Sequence, residues 1–290
     1  MDLNWALPPL QSQYRKKPLH YLSWVIGHEG KGSLISYLRK KVWALSLTAG
    51  NAGDGFEANS TYSIFTVTVV LTKAGFEHLD DVLAAVFSYL KMMERVGVSE
   101  RIFGEIKEIE DLDFEFSEER QPADNVETLC ENMHFFPPEL YLTGDDLLFE
   151  YDGGLISDCL AGLNANEVNV FVMAKEFREE CKMTEPWFKT RYTVEDISEE
   201  RRKRWADPEV NEDFHLPEPN VFIAEDTSLK PVPADNPKYP RKVTGESPLG
   251  EMFHRMDDTF KQPRGHILFH LLSPEAVFRL VVHAIYFSLK

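Results

Sequence analysis

The spacing of apolar and polar positions in the N-terminal part of the chain predicts both strands and helices. Residues 3–7 form a short apolar run that ends at the prolines 8–9, which predicts a strand stopped by proline. Residues 62–71, YSIFTVTVVL, are rich in β-branched and aromatic side chains and predict a long strand. From residue 75 to residue 96 apolar side chains recur every three or four positions, which predicts an amphipathic helix.

Two apolar segments flank a glycine-rich loop, GHEGKG, at residues 27–32. The run before it, residues 19–26, is apolar and aromatic, and its pattern leaves a strand and an early helical turn as open alternatives. Residues 33–43 return to helical spacing, and the cations Arg39-Lys40-Lys41 fall in the last turn, where they complement the helix dipole. Residues 50–55 then form a cluster of turn-forming residues.

The pattern further along the chain adds more helices and one more strand. Ser99 is placed to cap a helix whose apolar face spans residues 102–109. Helical patterns follow Pro122 and Gly154, and residues 168–173 predict a buried strand. Strands and long helices are therefore mixed, which predicts an α+β fold with helices lying against a sheet.

Composition changes after residue 186, where prolines are frequent and periodic apolar residues are few. Such a stretch predicts an extended linker. After it, residues 250–253 and 266–272 resemble the first strands of another domain, and a core helix is expected toward the end of the chain. We expect the part after Lys242 to pack poorly by itself, because most of the partners of its apolar residues would be missing. The expected divisions are a domain at 1–215, a proline-rich linker at 216–243 and the truncated start of a further domain at 244–290.

Charge and cysteine content narrow the possible partners. The formal net charge of −17 disfavours binding to nucleic acid and to anionic lipid. The three cysteines, Cys130, Cys159 and Cys181, are far apart and lack C-x-x-C spacing, so neither a disulfide framework nor a thiolate zinc site is indicated. No apolar run is long enough to span a membrane, and the N-terminus does not have the pattern of a secretory signal. These observations predict a cytoplasmic protein.

Several motifs that suggest catalysis or metal binding fail on spacing. The GHEGKGS loop resembles a phosphate-binding loop, but Lys31 precedes Gly32 instead of following it. The pair His28-Glu29 has no partner at the spacing that a zinc motif needs. His266 and His270 are four residues apart, but on a predicted strand that spacing does not form a metal site.

The remaining candidates also favour a structural interpretation. Cys130 and His134 share a helical spacing for which core packing is the common explanation. The acidic segment 105–119 could supply paired carboxylates, but its acids are expected to be solvated and so to lack a tuned pKa. The sequence contains neither H-x-x-E-H nor G-x-S-x-G. We therefore predict no catalytic residue and no metal ligand in this chain.

A series of short strings, in order along most of the chain, resembles one known family. The resemblance is to the inverted-motif zinc metallopeptidases of the insulin-degrading enzyme and pitrilysin family. Within this family, the chain resembles the branch whose members cut at dibasic sites more closely than it resembles insulin-degrading enzyme. The residues that favour this branch are Lys31 and the Arg39-Lys40-Lys41 cluster. The strings that carry the resemblance are HYLSWVIGHEGKGSLISYLRKKVWALSL, IEDLDFEF, LCENM, LTGDDLLFEY, LPEPNVFIAEDTSLK and HLLSP.

This resemblance implies four homologous α+β domains in two halves, joined by a linker and closing around a chamber that admits peptides. The zinc motif belongs to the first domain, and this sequence aligns with the second domain, the linker and the start of the third. The implied fold is a LuxS/MPP-like metallohydrolase-type domain, an antiparallel-rich sheet with helices on one face, followed by the linker and an incomplete second copy. Zinc is then expected in the full-length parent and not in this chain.

The resemblance also implies an exosite that holds the N-terminus of a peptide substrate. In the family it is formed by the strand and loop around GHEG and by the loop after the following helix. An edge strand would offer backbone partners to an extended peptide, and Glu29 could accept a charged α-amine. Trp24 and Ser23 replace a histidine and a glycine of insulin-degrading enzyme. The matching positions here are His20, Ser23, Trp24, Gly27, Glu29, Leu47, Ala49 and Asn51.

A structural explanation of the same residues stays open, with Gly27, Gly30 and Gly32 serving a turn and Trp24 belonging to the core. The function expected from the resemblance is the non-catalytic, substrate-binding portion of a zinc metalloendopeptidase, inactive alone, with peptides and the remaining domains of the same peptidase as partners. The alternative is a free-standing, catalytically dead protein that binds peptides or regulates another protein. An independent hydrolase would need ligands that the sequence lacks.

Overall fold

The computed structural model describes residues 1–245 and 250–270 of the chain. The chain divides into two compact units, Met1–Ile223 and a second unit that begins at Ala224. The strands of the first unit are β1 (Asp2–Leu7), β2 (Ala44–Gly50), β3 (Ser63–Leu71), β4 (Val168–Phe171), β5 (Met183–Thr184) and β6 (Arg191–Tyr192). Its α-helices are α1 (Pro18–Gly27), α2 (Leu34–Lys40), α3 (Lys73–Glu77), α4 (Leu79–Val96), α5 (Glu100–Glu115), α6 (Pro122–Phe135), α7 (Gly153–Gly162) and α8 (Glu199–Ala206).

Strands β1 to β4 form an antiparallel sheet in the order β2-β3-β1-β4, so β2 and β4 lie at its edges. Alternate residues of the two central strands are buried, among them Leu3, Trp5 and Phe65. The ring of Trp5 contacts Phe87 of α4 edge-on, with ring centroids 6.2 Å apart. Helices thus cover the apolar face of the sheet, and the predicted α+β class and the strands at 3–7 and 62–71 are confirmed.

Residues 19–26, which the pattern left open, are helical in the structure. Helix α1 begins at Pro18, whose fixed φ suits a first helical position. Proline has no N–H, and at this position the N–H would have no intrahelical partner in any case. The predicted short helix is α2, and the hydroxyl of Ser33 accepts a hydrogen bond from the Ser36 N–H at 3.2 Å, which caps it. The buried residues of α1 recur at helical spacing, at Tyr21, Leu22, Val25 and Ile26.

Two predictions for the following helices need correction. The predicted helix 75–96 is two helices, α3 and α4, because His78 leaves the helical region at φ −111° and ψ 32°. Ser99 precedes α5 but its side chain makes no cap hydrogen bond. Its N–H donates to the hydroxyl of Tyr21 at 3.0 Å, so Ser99 joins α5 to α1 instead.

The strand predicted as buried over 168–173 is the shorter edge strand β4, which ends at an exposed phenylalanine.

The hydrophobic pattern does not predict β2 or α8. Helix α8 is strongly polar, and its one buried residue is Trp205, which is 3% exposed and stacks on Phe87 at 5.2 Å. Phe214, further along, is also buried and contacts Tyr89 edge-on at 5.3 Å. Single aromatic anchors of this kind carry no periodicity, so composition alone reads the segment as a linker.

The second unit has little regular structure in its described part. Strands β7 (Arg241–Lys242) and β8 (Phe253–His254) pair antiparallel, so the strand predicted at 250–253 is present only in part. Residues 266–270 form no strand, and the apolar Ile267 and Leu268 are 76% and 95% exposed, in line with the poor packing expected there. Residues 271–290, with the rest of that strand and the core helix, lie outside the described residues. Across residues 1–245 and 250–270, every helix is too short or too polar to cross a bilayer.

Candidate functional site

The residues suggested as an exosite lie on two adjoining elements, α1 and β2. Helix α1 packs against β2, and a Cβ atom added at Gly50 would come within 2.7 Å of Ser23 Oγ, so the two backbones approach closely there. Four of these residues are on α1, one is in the turn after it, two are on β2 and one follows β2. In that order they are His20, Ser23, Trp24, Gly27, Glu29, Leu47, Ala49 and Asn51.

Two local features differ from the sequence expectation. A helix, not a strand, leads into GHEG, because the apolar residues of this segment recur at helical spacing against the core. The loop expected after α2 is the strand β2, which holds Leu47 and Ala49. Within residues 1–245, the one sheet neighbour of β2 is β3. The side chain of Leu47 is 4% exposed and packs in the core, so an extended ligand would meet this strand mainly through its backbone.

One end of the helix–strand pair carries an ion pair. Arg39 Nη1 lies 3.0 Å from Glu29 Oε2, and Arg39 Nη2 lies 3.3 Å from Glu29 Oε1. Arg39 Nε also donates to the carbonyl oxygen of Leu45 at 3.1 Å, which ties this pair to the start of β2. The Arg39 and Glu29 side chains are 41% and 59% exposed, so their pairing contributes at most about 1 kcal/mol. An incoming ammonium group would share the Glu29 carboxylate with this guanidinium.

The turn between Glu29 and α2 is closely packed. The ring of His28 stacks on Trp24 with centroids 5.4 Å apart, and burial lowers the pKa of His28 while the charge of Glu29 opposes this shift. A Cβ atom at Gly30 would lie 2.5 Å from His28 Nε2, and one at Gly32 would collide with the ring of His215. Gly30 and Gly32 therefore serve the turn, and no atom within 4 Å would meet a Cβ at Gly27.

The opposite end of the helix–strand pair, formed by α1 and β2, is concave. Here His20 Nε2 lies 2.9 Å from Glu110 Oε1, and Asn51 Oδ1 accepts a hydrogen bond from the Gly53 N–H at 3.0 Å. Both His20 and Asn51 line a cleft of about 340 Å³. Its volume lies at the lower end of the range of small-ligand sites. We call it the aromatic cleft, and its apolar walls are Leu10, Tyr14, Leu19, Phe135 and Phe136.

The described residues do not fit a zinc ion. Across residues 1–245 and 250–270, no group of three His, Cys, Asp or Glu side chains could hold a metal. The His28 ring is stacked on Trp24, and His266 and His270 lie on an irregular segment. The chain also lacks H-x-x-E-H. Zinc chemistry is therefore not assigned to any residue of this chain.

Other candidates from the sequence are also placed by the structure. The cysteines of the described residues are free, and Cys159 is buried, which raises the pKa of its thiol to about 11. Cys130 and His134 are exposed on α6, so the prediction that they pack in the core is wrong. The buried residue of this helix is Asn132, which lies between them. The carboxylate of Glu105, expected to be solvated, is 13% exposed and accepts from Arg101 at 2.7 Å.

Sequence reasoning did not identify two parts of this region. The sequence marks Arg39 as a helix-end cation and as part of a basic cluster typical of one family branch, but its ion pair with Glu29, ten residues earlier, has no sequence signature. The wall formed by Phe135 and Phe136 comes from a segment more than eighty residues beyond β2, and only folding brings it to Asn51. The string HFFPPELYL, with two adjacent aromatics at the end of a helix, is the signal that could have drawn attention to it.

Comparison with known proteins adds the family. Residues 1–110 match the family model described as the peptidase M16 inactive domain, and residues 114–289 match the middle or third domain of peptidase M16. The chain belongs to the M16 peptidase family. The family expected from the sequence strings is thereby confirmed, and residues 1–110 of this M16 chain correspond to an inactive-type domain.

Relatives with curated descriptions include nardilysins. Nardilysin of Rattus norvegicus is 44% identical over 275 residues, which cover 94% of this chain and 24% of that protein. Nardilysin of Homo sapiens is 45% identical with the same coverage. Insulin-degrading enzyme of Drosophila melanogaster is 32% identical over 278 residues, covering 95% of this chain and 27% of the enzyme. The M16 chain is thus nardilysin-like and spans about a quarter of the length of these relatives.

A solved structure shows the same fold. The crystal structure of pitrilysin matches with a TM-score of 0.75 and 22% sequence identity, over 90% of this chain and 27% of pitrilysin. At that identity the likeness concerns the fold alone. The antiparallel sheet and the helices of this M16 chain therefore have a counterpart in a solved M16-type structure.

Proposed function

We propose that this chain is the non-catalytic, substrate-binding part of a nardilysin-like zinc metalloendopeptidase, and that it anchors the free N-terminus of a peptide. The peptide lies extended along the edge of β2, and its α-amine is bound at Glu29. Hydrolysis of peptides, at dibasic sites, and the zinc that it needs belong to other parts of the longer protein. No catalytic step is assigned to residues 1–245 and 250–270, because their side chains do not fit a zinc ion.

The observation that carries this proposal is the position of β2. An edge strand offers a row of backbone donors and acceptors to an extended chain, and β-strand addition is a recurrent way to bind peptides. Glu29, at one end of β2, supplies a half-exposed carboxylate, and charge-assisted hydrogen bonds to an ammonium are the stronger kind. The negative net charge of the chain further favours basic peptides.

Several finer assignments belong to the same proposal. The first part of the chain, 1–215, is the second domain of the peptidase, with a LuxS/MPP-like fold. The segment 216–243 is the linker between the two halves, and 244–290 begins the third domain. The remaining domains of the peptidase are the partners of this chain, which together form the wall of a peptide chamber in the cytoplasm.

Binding of matched peptides tests the proposal. The purified 290-residue chain is titrated with a basic peptide that has a free N-terminus and with the same peptide N-acetylated. We expect the acetylated peptide to bind up to about fivefold more weakly, because it lacks the ammonium group whose exposed ion pair with Glu29 contributes at most about 1 kcal/mol. Zinc content and cleavage are measured on the same samples, and no chelator-sensitive cleavage is expected.

Equal affinity for the two peptides would overturn the amine-anchoring function. Stoichiometric zinc with chelator-sensitive cleavage would overturn the non-catalytic assignment. The matched control is the Lys31→Gln variant, which removes an exposed positive charge of the same loop and leaves Glu29 unchanged. This variant should retain the preference for the free N-terminus.

A further inference from the structure

The aromatic cleft lies at the end of β2 that is opposite to Glu29. Arg39, which holds Glu29, donates to the carbonyl oxygen of Leu45 at the start of β2. Asn51, directly after β2, lines the cleft. From Leu45 to Asn51 is six residues of extended chain, which corresponds to about 20 Å. A peptide that follows β2 from Glu29 therefore reaches the cleft with its sixth or seventh residue.

The walls of the cleft are suited to an apolar side chain. Tyr14 and Phe136 pack edge-to-face with ring centroids 5.3 Å apart, which holds both rings in place. Phe135 lines the same cleft and is 46% exposed, although it is a large apolar residue at a concave surface. A ligand that covers this ring would remove apolar area from water, which is favourable.

The basic side chains around the cleft are engaged within the protein, and Glu131 and Asp145 add acidic side chains to its lining. His20 is paired with Glu110 at 2.9 Å, and the ammonium group of Lys17 donates to the carbonyl oxygen of Asp145. Burial lowers the pKa of Lys17, while nearby acids oppose that shift. Because the basic groups already have partners, an acidic side chain of a ligand would have to displace one of them and would also meet the like charges of Glu131 and Asp145. An aromatic or large aliphatic side chain would not.

We infer that the aromatic cleft is a subsite for a large apolar side chain at about the sixth or seventh residue of the bound peptide. This inference extends the proposed function and rests on it, since the position of the apolar residue is counted from an α-amine bound at Glu29. It would make the chain selective for peptides that combine a free N-terminus with an apolar residue roughly 20 Å away. About 340 Å³ is ample for one aromatic ring.

A positional scan tests the subsite. A host peptide of about ten small polar residues, with a free N-terminus and a C-terminal fluorophore, carries one phenylalanine that is moved from the second residue to the last. Affinity for the 290-residue chain is measured by fluorescence anisotropy. We expect binding to peak with phenylalanine at the sixth or seventh residue, about tenfold tighter than with alanine there. Glutamate at the same residue should give no gain, because the cleft is lined by Glu131 and Asp145 and its basic groups are already paired.

The Phe135→Ala variant should lose this peak, whereas Phe171→Ala should keep it. Phe171 is a matched control because it is also about half exposed but lies on β4, at the other edge of the sheet. Because Phe135 is about half exposed, its variant should fold, and circular dichroism of both variants checks this. A profile without a peak, an equal peak for glutamate, or a peak that survives Phe135→Ala would overturn the inference.

The same peptides in N-acetylated form separate the two proposals. If acetylation weakens every peptide but phenylalanine has no preferred position, the cleft inference fails and the amine-anchoring function stands. If acetylation has no effect but the Phe135-dependent peak persists, the cleft stands as a side-chain site. In that case anchoring of the α-amine at Glu29 fails.

Discussion

The two ends of β2 differ in shape, charge and exposure. At the Glu29 end, a carboxylate and a guanidinium form an exposed ion pair at the turn between α1 and α2. At the Asn51 end, His20 is paired with Glu110 beside a concave wall of aromatic rings, and Glu131 and Asp145 also line the cleft. The first end can select a cation through the carboxylate of Glu29, and the second can select an apolar side chain through its aromatic rings. One strand edge can thus carry two separate selections on the same extended ligand.

The close contact between the two elements, at Gly50 and Ser23, lies between these ends, so breaking it should affect both. Gly50 has φ +138°, and a Cβ there would lie 2.7 Å from Ser23 Oγ. We expect Gly50→Ala to lower the free energy of unfolding by about 2–4 kcal/mol, from backbone strain and overpacking together. Urea denaturation measures the loss, and peptide affinity should fall with it.

Gly53→Ala is the matched control for this substitution. Gly53 has φ +69°, but a Cβ would meet no atom within 4 Å, so backbone strain alone should cost about 1–2 kcal/mol. Equal losses for the two variants would show that the contact with Ser23 is unimportant. The claim that this contact affects both ends of β2 would then be wrong.

Neutralising each partner of the ion pair in turn tests whether Glu29 selects the charged N-terminus of the peptide. Glu29→Gln removes the acceptor of an α-amine and should weaken binding of a peptide with a free N-terminus. Arg39→Gln removes the competing guanidinium and should strengthen it. Each change is expected to be up to about fivefold in Kd, because exposed ion pairs contribute at most about 1 kcal/mol.

The opposite signs are the informative part of this pair of variants. Both should unfold within about 1 kcal/mol of the unsubstituted chain, as expected for an exposed pair. If both variants weaken binding, the pair acts as a unit and the carboxylate is not the amine acceptor. Isothermal titration with free and acetylated peptides distinguishes these results.

The smallest expected effect concerns the pH dependence at the same end. Burial against Trp24 lowers the pKa of His28 below its ordinary value of 6.5, so the folded state binds this proton less readily than the unfolded state does. The contribution of neutral His28 is therefore fully present above about pH 6.5 and declines as the pH falls below it. His28→Gln should reduce the loss of stability between pH 7 and pH 5. An unchanged pH profile of urea unfolding would contradict this assignment.

Much of the fold could be read from local pattern. The strands at 3–7 and 62–71 and the long helix α4 follow from side-chain periodicity, because one buried face imposes period two on a strand and about 3.6 on a helix. Residues 19–26 stayed ambiguous because a short apolar run suits either element. Trp205 and Phe214 were missed because each is a single anchor in a polar, proline-rich stretch.

The candidate site divides in the same way. His20 and Glu29 could be named from a string that resembles the M16 family, and Asn51 from its position four residues after that string, without knowledge of the fold. Their environment could not be named. The pairing of Glu29 with Arg39 and of His20 with Glu110 joins residues ten and ninety positions apart.

By itself, the sequence determined the α+β class, the family, the lack of a zinc motif and the positions of most helices and strands, because these depend on residue type and short-range spacing. Tertiary structure alone decided that β2 is an edge strand, that α1 lies against it, and that Phe135 and Phe136 form a wall beside Asn51. The physical reason is that strand order and cleft walls depend on contacts between distant segments. Such contacts are selected by packing of the whole core and leave no local periodicity in the chain.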